Sequence, residues 1–133
     1  MAVDTQIKGR TEIEQLITAF YATAMKDDLI GFIFTDVAKL DWDHHIPTIC
    51  SFWESVLFGT RGYKGNPMLK HIELNKKIAL TELHFDRWIH IWEETIDQRF
   101  TGEIADLAKQ RATVMKNLMI YKIEQSKRSN FIQ

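Results

Sequence analysis

One cysteine, two prolines and no long apolar run set the first limits on this chain of 133 residues. Cys50 has no partner for an intramolecular disulfide, and a single thiol cannot build a thiolate metal cluster. No stretch is long and apolar enough to span a bilayer, and the N-terminal MAVDTQIKGR lacks the apolar core of a secretory signal, so cytoplasm is the expected compartment. An excess of either charge is missing too. With 17 Lys and Arg against 18 Asp and Glu, the net charge of −1 gives no electrostatic reason to expect nucleic acid or an anionic membrane as partner. No repeat, low-complexity tract or linker divides the chain. Its length suits one domain over 1–133, with a core from about 11 to 123.

What is present reads as helix. Hydrophobic residues make up 45% and charged residues 26%, the usage of a folded protein that can bury a core. Thr11 and Glu14 have capping-box spacing, and Ile13, Leu16, Ile17, Phe20, Tyr21 and Ala24 follow at helical intervals. Leu29 to Phe34 is too apolar for a free loop and reads as a buried turn of helix or a corner. A second long helix is expected from Asp41 or Asp43 to Leu57. Proline deep inside a helix costs about 3 kcal/mol, so Pro47 predicts a regular start near His44, or a bend there. Gly59, Gly62 and Gly65 open a loop, after which Asn66 and Pro67 look like the cap and first residue of a short helix carrying His71. A loose, long stretch then leads to Thr81, the cap of a helix with Phe85, Trp88, Ile89, Trp92 and Ile96. The last helix runs from Glu103 to about Ile123, with a frayed tail. Nothing alternates as a strand does.

Familiar reactive motifs are absent. No two of His44, His45, His71, His84 and His90 stand three or four apart, as ligands sharing one helix face would. No glycine-rich phosphate loop occurs, and Cys50 lies among apolar helical residues, where a thiol is inert. His45, Ile49 and Trp53 recur every fourth residue and share a face. Ile17 and Tyr21 do so on the first helix, and Phe85, Trp88 and Trp92 add further rings. Apolar walls with a few polar tips suit a large flat ligand with a reactive centre, which His71 could face from the other side. The same stripe also suits plain core packing, and a lone histidine such as His71 is commonly just solvated; spacing does not separate these readings.

In their order and spacing, Ala19-Phe20-Tyr21, Gly31-Phe32-Ile33-Phe34, His45-Ile46-Pro47, Phe52-Trp53-Glu54-Ser55-Val56-Leu57, Tyr63-Lys64-Gly65-Asn66-Pro67, His71 and His84-Phe85-Asp86-Arg87-Trp88 resemble the third group of truncated haemoglobins, from about Thr11 to Ile123. The resemblance implies an all-α truncated globin fold, a two-over-two helical sandwich around one haem b (iron protoporphyrin IX). It implies that His71 is the proximal iron ligand, that Tyr21 is the distal tyrosine, and that His45 stands at the mouth of the distal pocket. Ile49 and Trp53 would form the wall over the porphyrin. Phe34 would pack on the haem face, with Phe32 the neighbouring alternative, and Trp88 would turn its indole toward a bound ligand. Tyr63, Lys64 and Lys70 are candidates for the haem propionates. The paired glycines of the first two truncated groups are missing, and Pro47 falls where the third group often has proline.

The resemblance also implies small diatomic ligands, oxygen or nitric oxide. A hydrogen bond to a charged group contributes roughly 1.5–3 kcal/mol, so two distal donors would hold a partly anionic ligand tightly. Tight holding suits chemistry or sensing better than transport. Conversion of nitric oxide to nitrate would need a separate electron donor, since the chain has no room for a reductase domain; a peroxidase-like role ranks below it. The competing reading is a cofactor-free helical interaction module in which the aromatic residues are core and His71 is incidental.

Overall fold

The computed structural model describes residues 3–63 and 65–132, which form five α-helices, one short π-helical turn and no strand. An isolated bridge between Gln6 and Thr101 ties the N-terminal segment to the turn before the last helix.

Helix α1 spans Arg10–Ala24 and buries the face expected of it: Ile13, Leu16, Ile17, Phe20, Tyr21 and Ala24. Its start differs from the capping box expected at Thr11. The carboxylate of Glu12, not Glu14, accepts from the backbone N–H groups of Lys8 (2.8 Å) and Gly9 (3.0 Å). Thr11 and Glu14 therefore lie inside the helix. The cap is set by which carboxylate can fold back on its own N-terminus, and several spacings look alike in sequence.

The chain after α1 turns sharply. Asp27 accepts from the N–H groups of Leu29 and Ile30 and pairs with Arg87 at 3.0 Å. A Cβ on the buried Gly31 would stand 2.5 Å from the Met25 carbonyl oxygen, so only glycine lets the two backbones approach this closely. The corner expected over 29–34 continues into a π-helical turn, Ile33–Val37, closed by the wide bond from the Ala38 N–H to the Ile33 carbonyl.

Helix α2, Trp42–Phe58, begins earlier than Pro47 suggested and runs through it. Proline's fixed φ suits a helix. What it removes is one N–H, and the carbonyl left without a partner belongs to Asp43, an exposed residue that water can reach. Gly59 ends the helix in the left-handed conformation (φ 74°). Helix α3, Pro67–Lys77, has the expected cap: Asn66 Oδ1 accepts from the Leu69 N–H at 3.1 Å. Its eleven residues absorb most of the stretch expected to be loose, leaving only Ile78–Leu80 before Thr81. Helix α4 is Glu82–Arg99, and His84 Nδ1 accepts from the Thr81 N–H to close its first turn. Helix α5 is Glu103–Ile132, longer than expected because the polar tail continues the helix.

The helices pack as two pairs. Helix α1 lies on α2, α5 lies on α4, and the pairs meet through α1 against α4 and α2 against α5. Helix α3 packs on α5 at the side. This is the two-over-two arrangement. Its core is centred on Phe20, Trp92, Leu16, Ile17 and Ile96, all almost wholly buried.

Candidate functional site

The first cluster joins the end of α1 to the start of α2. Tyr21 and His45 meet with the phenolic oxygen 2.9 Å from Nε2. Around Tyr21 stand Phe34 of the π-helical turn (ring centroids 5.5 Å apart, edge-on), Trp42 (5.1 Å) and Phe20 (5.1 Å). Trp42 also meets the His45 ring edge-on at 5.6 Å. Three consequences follow from burial. The Tyr21 hydroxyl is desolvated, with the neighbouring Cys50 adding to the effect, so its pKa rises well above the usual phenol range and it stays protonated. His45 is held below its ordinary value by desolvation and by His44, so it is neutral near pH 7. Burial pushes the Cys50 thiol up to about 11, which leaves it protonated and unreactive.

A neutral His45 permits two arrangements of the pair. Either the phenolic O–H donates to Nε2, or Nε2–H donates to the phenolic oxygen. In the second, the O–H of Tyr21 is free to donate elsewhere.

A stack of indoles continues from this cluster into the core. Phe20 meets Trp88 and Trp92 edge-on, Trp88 lies nearly parallel to Trp92, and Trp92 stacks on Trp53 at 4.6 Å. Trp92 donates its indole N–H to the Ala108 carbonyl at 3.2 Å, which fixes the centre of the stack. Trp53 is buried, while Ile49 and Trp88 are only partly buried at the edge of the core. Phe34 is also partly buried, whereas Phe32 is 39% exposed.

His71 stands apart from these rings, on α3. Its Nδ1 lies 2.7 Å from the Pro67 carbonyl, one helical turn back, and its ring faces Phe85 of α4 at 6.3 Å. A carbonyl only accepts, so Nδ1 carries the proton and the lone pair is at Nε2. Among the described residues no protein group bonds to Nε2. Desolvation lowers the pKa of the ring, against the smaller opposing effect of the Pro67 bond, which keeps the imidazole neutral. A neutral imidazole with one nitrogen fixed by a hydrogen bond and the other open is the donor that haem iron takes. The residues present fit that group.

Geometry therefore brings Tyr21, Phe34 and His45 into one cluster, joins Trp53 and Trp88 through Trp92, and places His71 against the same helix, α4, that carries Trp88. Phe85 and Trp88 are three apart on α4, so they share one face of that helix. Of the three propionate candidates, Lys64 lies outside the described residues. Tyr63 packs edge-on against Phe52 and Lys70 is exposed. Two participants escaped the sequence reading. Trp42 could have been found, since it precedes His45 by three residues on one helix. The Pro67 carbonyl could not be named, because every helical residue has a carbonyl four positions back and only the fold shows which one a side chain takes.

Comparison with known proteins bears on the family and the fold. The bacterial-like globin family matches residues 4–122. The chain is 28% identical over 120 residues to a protein of Campylobacter jejuni subsp. jejuni named group 3 truncated hemoglobin ctb, covering 86% of this chain and 92% of that one. The crystal structure of a group III truncated hemoglobin from Campylobacter jejuni superposes with a TM-score of 0.76 at 25% identity, covering 88% of this chain and 92% of the other.

Proposed function

The chain belongs to the bacterial-like globin family, which makes it a haem-based gas-binding protein, and from that premise we propose that it binds oxygen or nitric oxide between the Tyr21–His45 pair and His71. The haem would supply an open coordination position for the gas. His71 would hold the haem through Nε2, and the Pro67 carbonyl fixes the ring and raises the basicity of that nitrogen. Ile49, Phe34, Trp53 and Trp88 would give the apolar surface that a porphyrin needs and keep bulk water out.

Tyr21 would act as donor. Its hydroxyl stays protonated at any physiological pH, so it has a proton to offer a ligand that gains negative charge. His45 tunes that offer, since the phenol is free only when Nε2–H donates to it. Trp88 has a single indole N–H and can only donate. Such a site holds an anionic ligand firmly, which suits chemistry or sensing. The reaction we assign is oxidation of nitric oxide to nitrate. In this reaction NO and O2 take up one electron to give NO3−, and a separate electron-donor protein supplies that electron.

The hydrogen bond from His71 Nδ1 to Pro67 carries this reading, because it leaves a single oriented lone pair at Nε2. Absorption spectra of the ferric, ferrous and carbonyl forms test it. The purified protein should show a strong Soret band, and His71→Ala should lose most of its haem. A chain without a Soret band even after haem is added would be the cofactor-free module instead.

A further inference from the structure

Helix α2 is one hydrogen bond short where its functional histidine sits. Pro47 has no N–H, so the Asp43 carbonyl lacks its helical partner, and His45 lies within that open turn. On the far side of the helix, Pro47, Ser51 and Glu54 share a face at spacings of four and three. One side chain from α1 reaches all three. Arg10 donates from Nη2 to the Pro47 carbonyl (3.1 Å) and from Nη1 to Ser51 Oγ (3.0 Å) and Glu54 Oε1 (3.3 Å). Its Nε donates to Glu14 of its own helix at 3.2 Å, which orients the guanidinium.

We propose that Arg10 is a positioning residue for the Tyr21–His45 pair, clamping α1 to the proline-weakened turn of α2 and so setting the distance between phenol and imidazole. The inference rests on reading that pair as the distal groups. Tyr21 rides on α1 and His45 on α2, and no covalent link joins them, so their 2.9 Å separation depends on how the two helices sit. Eleven residues, about 16 Å of helix, separate Arg10 from Tyr21. The clamp and the pair therefore hold the α1–α2 contact at two separated points. A rotation allowed at the first is felt at the second. The clamp is partly exposed, with side-chain exposures of 34% for Arg10 and 27% for Glu54, so water screens its charge and it contributes little to overall stability. Its geometry is what counts. A guanidinium fork can satisfy three acceptors at fixed angles, whereas a lysine ammonium on a flexible stem reaches fewer of them.

Arg10→Gln, Arg10→Lys and the parent chain should be compared by two measurements that do not need haem: the nitrogen NMR shifts of the His45 ring and hydrogen exchange along the backbone. In Arg10→Gln the His45 Nε2 signal should move toward that of a solvated imidazole. Amides of residues 44–46 and 48–50 should exchange about tenfold faster while those of α4 hold their rates. Arg10→Lys should show both effects to a smaller extent. In haem-loaded protein the carbonyl stretch should shift or split in Arg10→Gln. Exchange that rises equally in every helix, an unmoved His45 signal, or an unchanged carbonyl stretch despite a loosened α2 would each overturn the proposal. A parent chain that takes up no haem would overturn the proposed function alone, because the His45 signal and exchange rates would still decide the role of Arg10.

Discussion

Burial shifts imidazole and phenol in opposite directions and leaves both uncharged. His45 and His71 are both kept neutral by burial, and Tyr21 is kept protonated by the same cause. The hydroxyl of Tyr21 should therefore act as a hydrogen-bond donor across the whole working range. Replacing it, Tyr21→Phe, should speed oxygen release about ten- to a hundredfold, the value of one hydrogen bond to a charged group. Stopped-flow or flash-photolysis kinetics read this directly, and an unaltered rate would move the donor role to Trp88 or His45. His45 also makes a stability prediction. Its folded-state pKa lies below its ordinary value of 6.5, so between the two values the unfolded chain binds more protons than the folded one. Stability from this group is fully present above pH 6.5 and declines as pH falls below it. His45→Gln, which cannot take a proton, should show a shallower loss of stability than the parent in chemical denaturation between pH 6.5 and 5.

At the scale of elements, short capping interactions orient the groups that matter. Helix α3 has only eleven residues, too few to be stable alone, and it holds His71 in its second turn. The Asn66 side chain satisfies one orphan N–H at its start. Asn66→Ala should cost about 1 kcal/mol and, because the first turn also contains the Pro67 carbonyl that fixes His71, should accelerate haem loss to an apoglobin acceptor. A variant that melts earlier yet keeps its haem as long as the parent would separate the cap from the ligand's orientation. Asp27 does similar work at the corner after α1. Its carboxylate, which burial alone would raise, is held below the usual range by the N–H groups of Ile30 and Leu29 and by Arg87. That ties the segment bearing Phe34 to the helix bearing Trp88.

For the molecule as a whole, the two helix pairs enclose a stack of aromatic rings rather than an aliphatic core alone. Helix α3 is attached mainly through α5, so the element bearing His71 is held chiefly from one side. A ligand that binds only the folded state stabilises it by mass action. Removing haem should therefore lower the melting temperature, and hydrogen exchange should rise most in α3 and least in α4. Equal melting temperatures with and without haem would argue against a site built into the fold.

Much of this was determined by the sequence alone. Apolar spacing places the buried faces of α1 and α4, Asn66-Pro67 starts α3, and the order of motifs from Tyr21 to Trp88 identifies a globin. These are local or linear signals, carried by neighbouring residues on one helix. Tertiary structure decided the rest. The start of α1 depends on Glu12 folding back, and the passage of α2 through Pro47 depends on the Asp43 carbonyl reaching water. The length of α3 depends on its packing against α5. Only the fold could set Trp92 between Trp53 and Trp88, turn Nδ1 of His71 to the Pro67 carbonyl, or bring Arg10 across to α2. Spacing along a chain says which side of a helix a residue occupies, but which group it meets there is fixed only when a second element packs against that side.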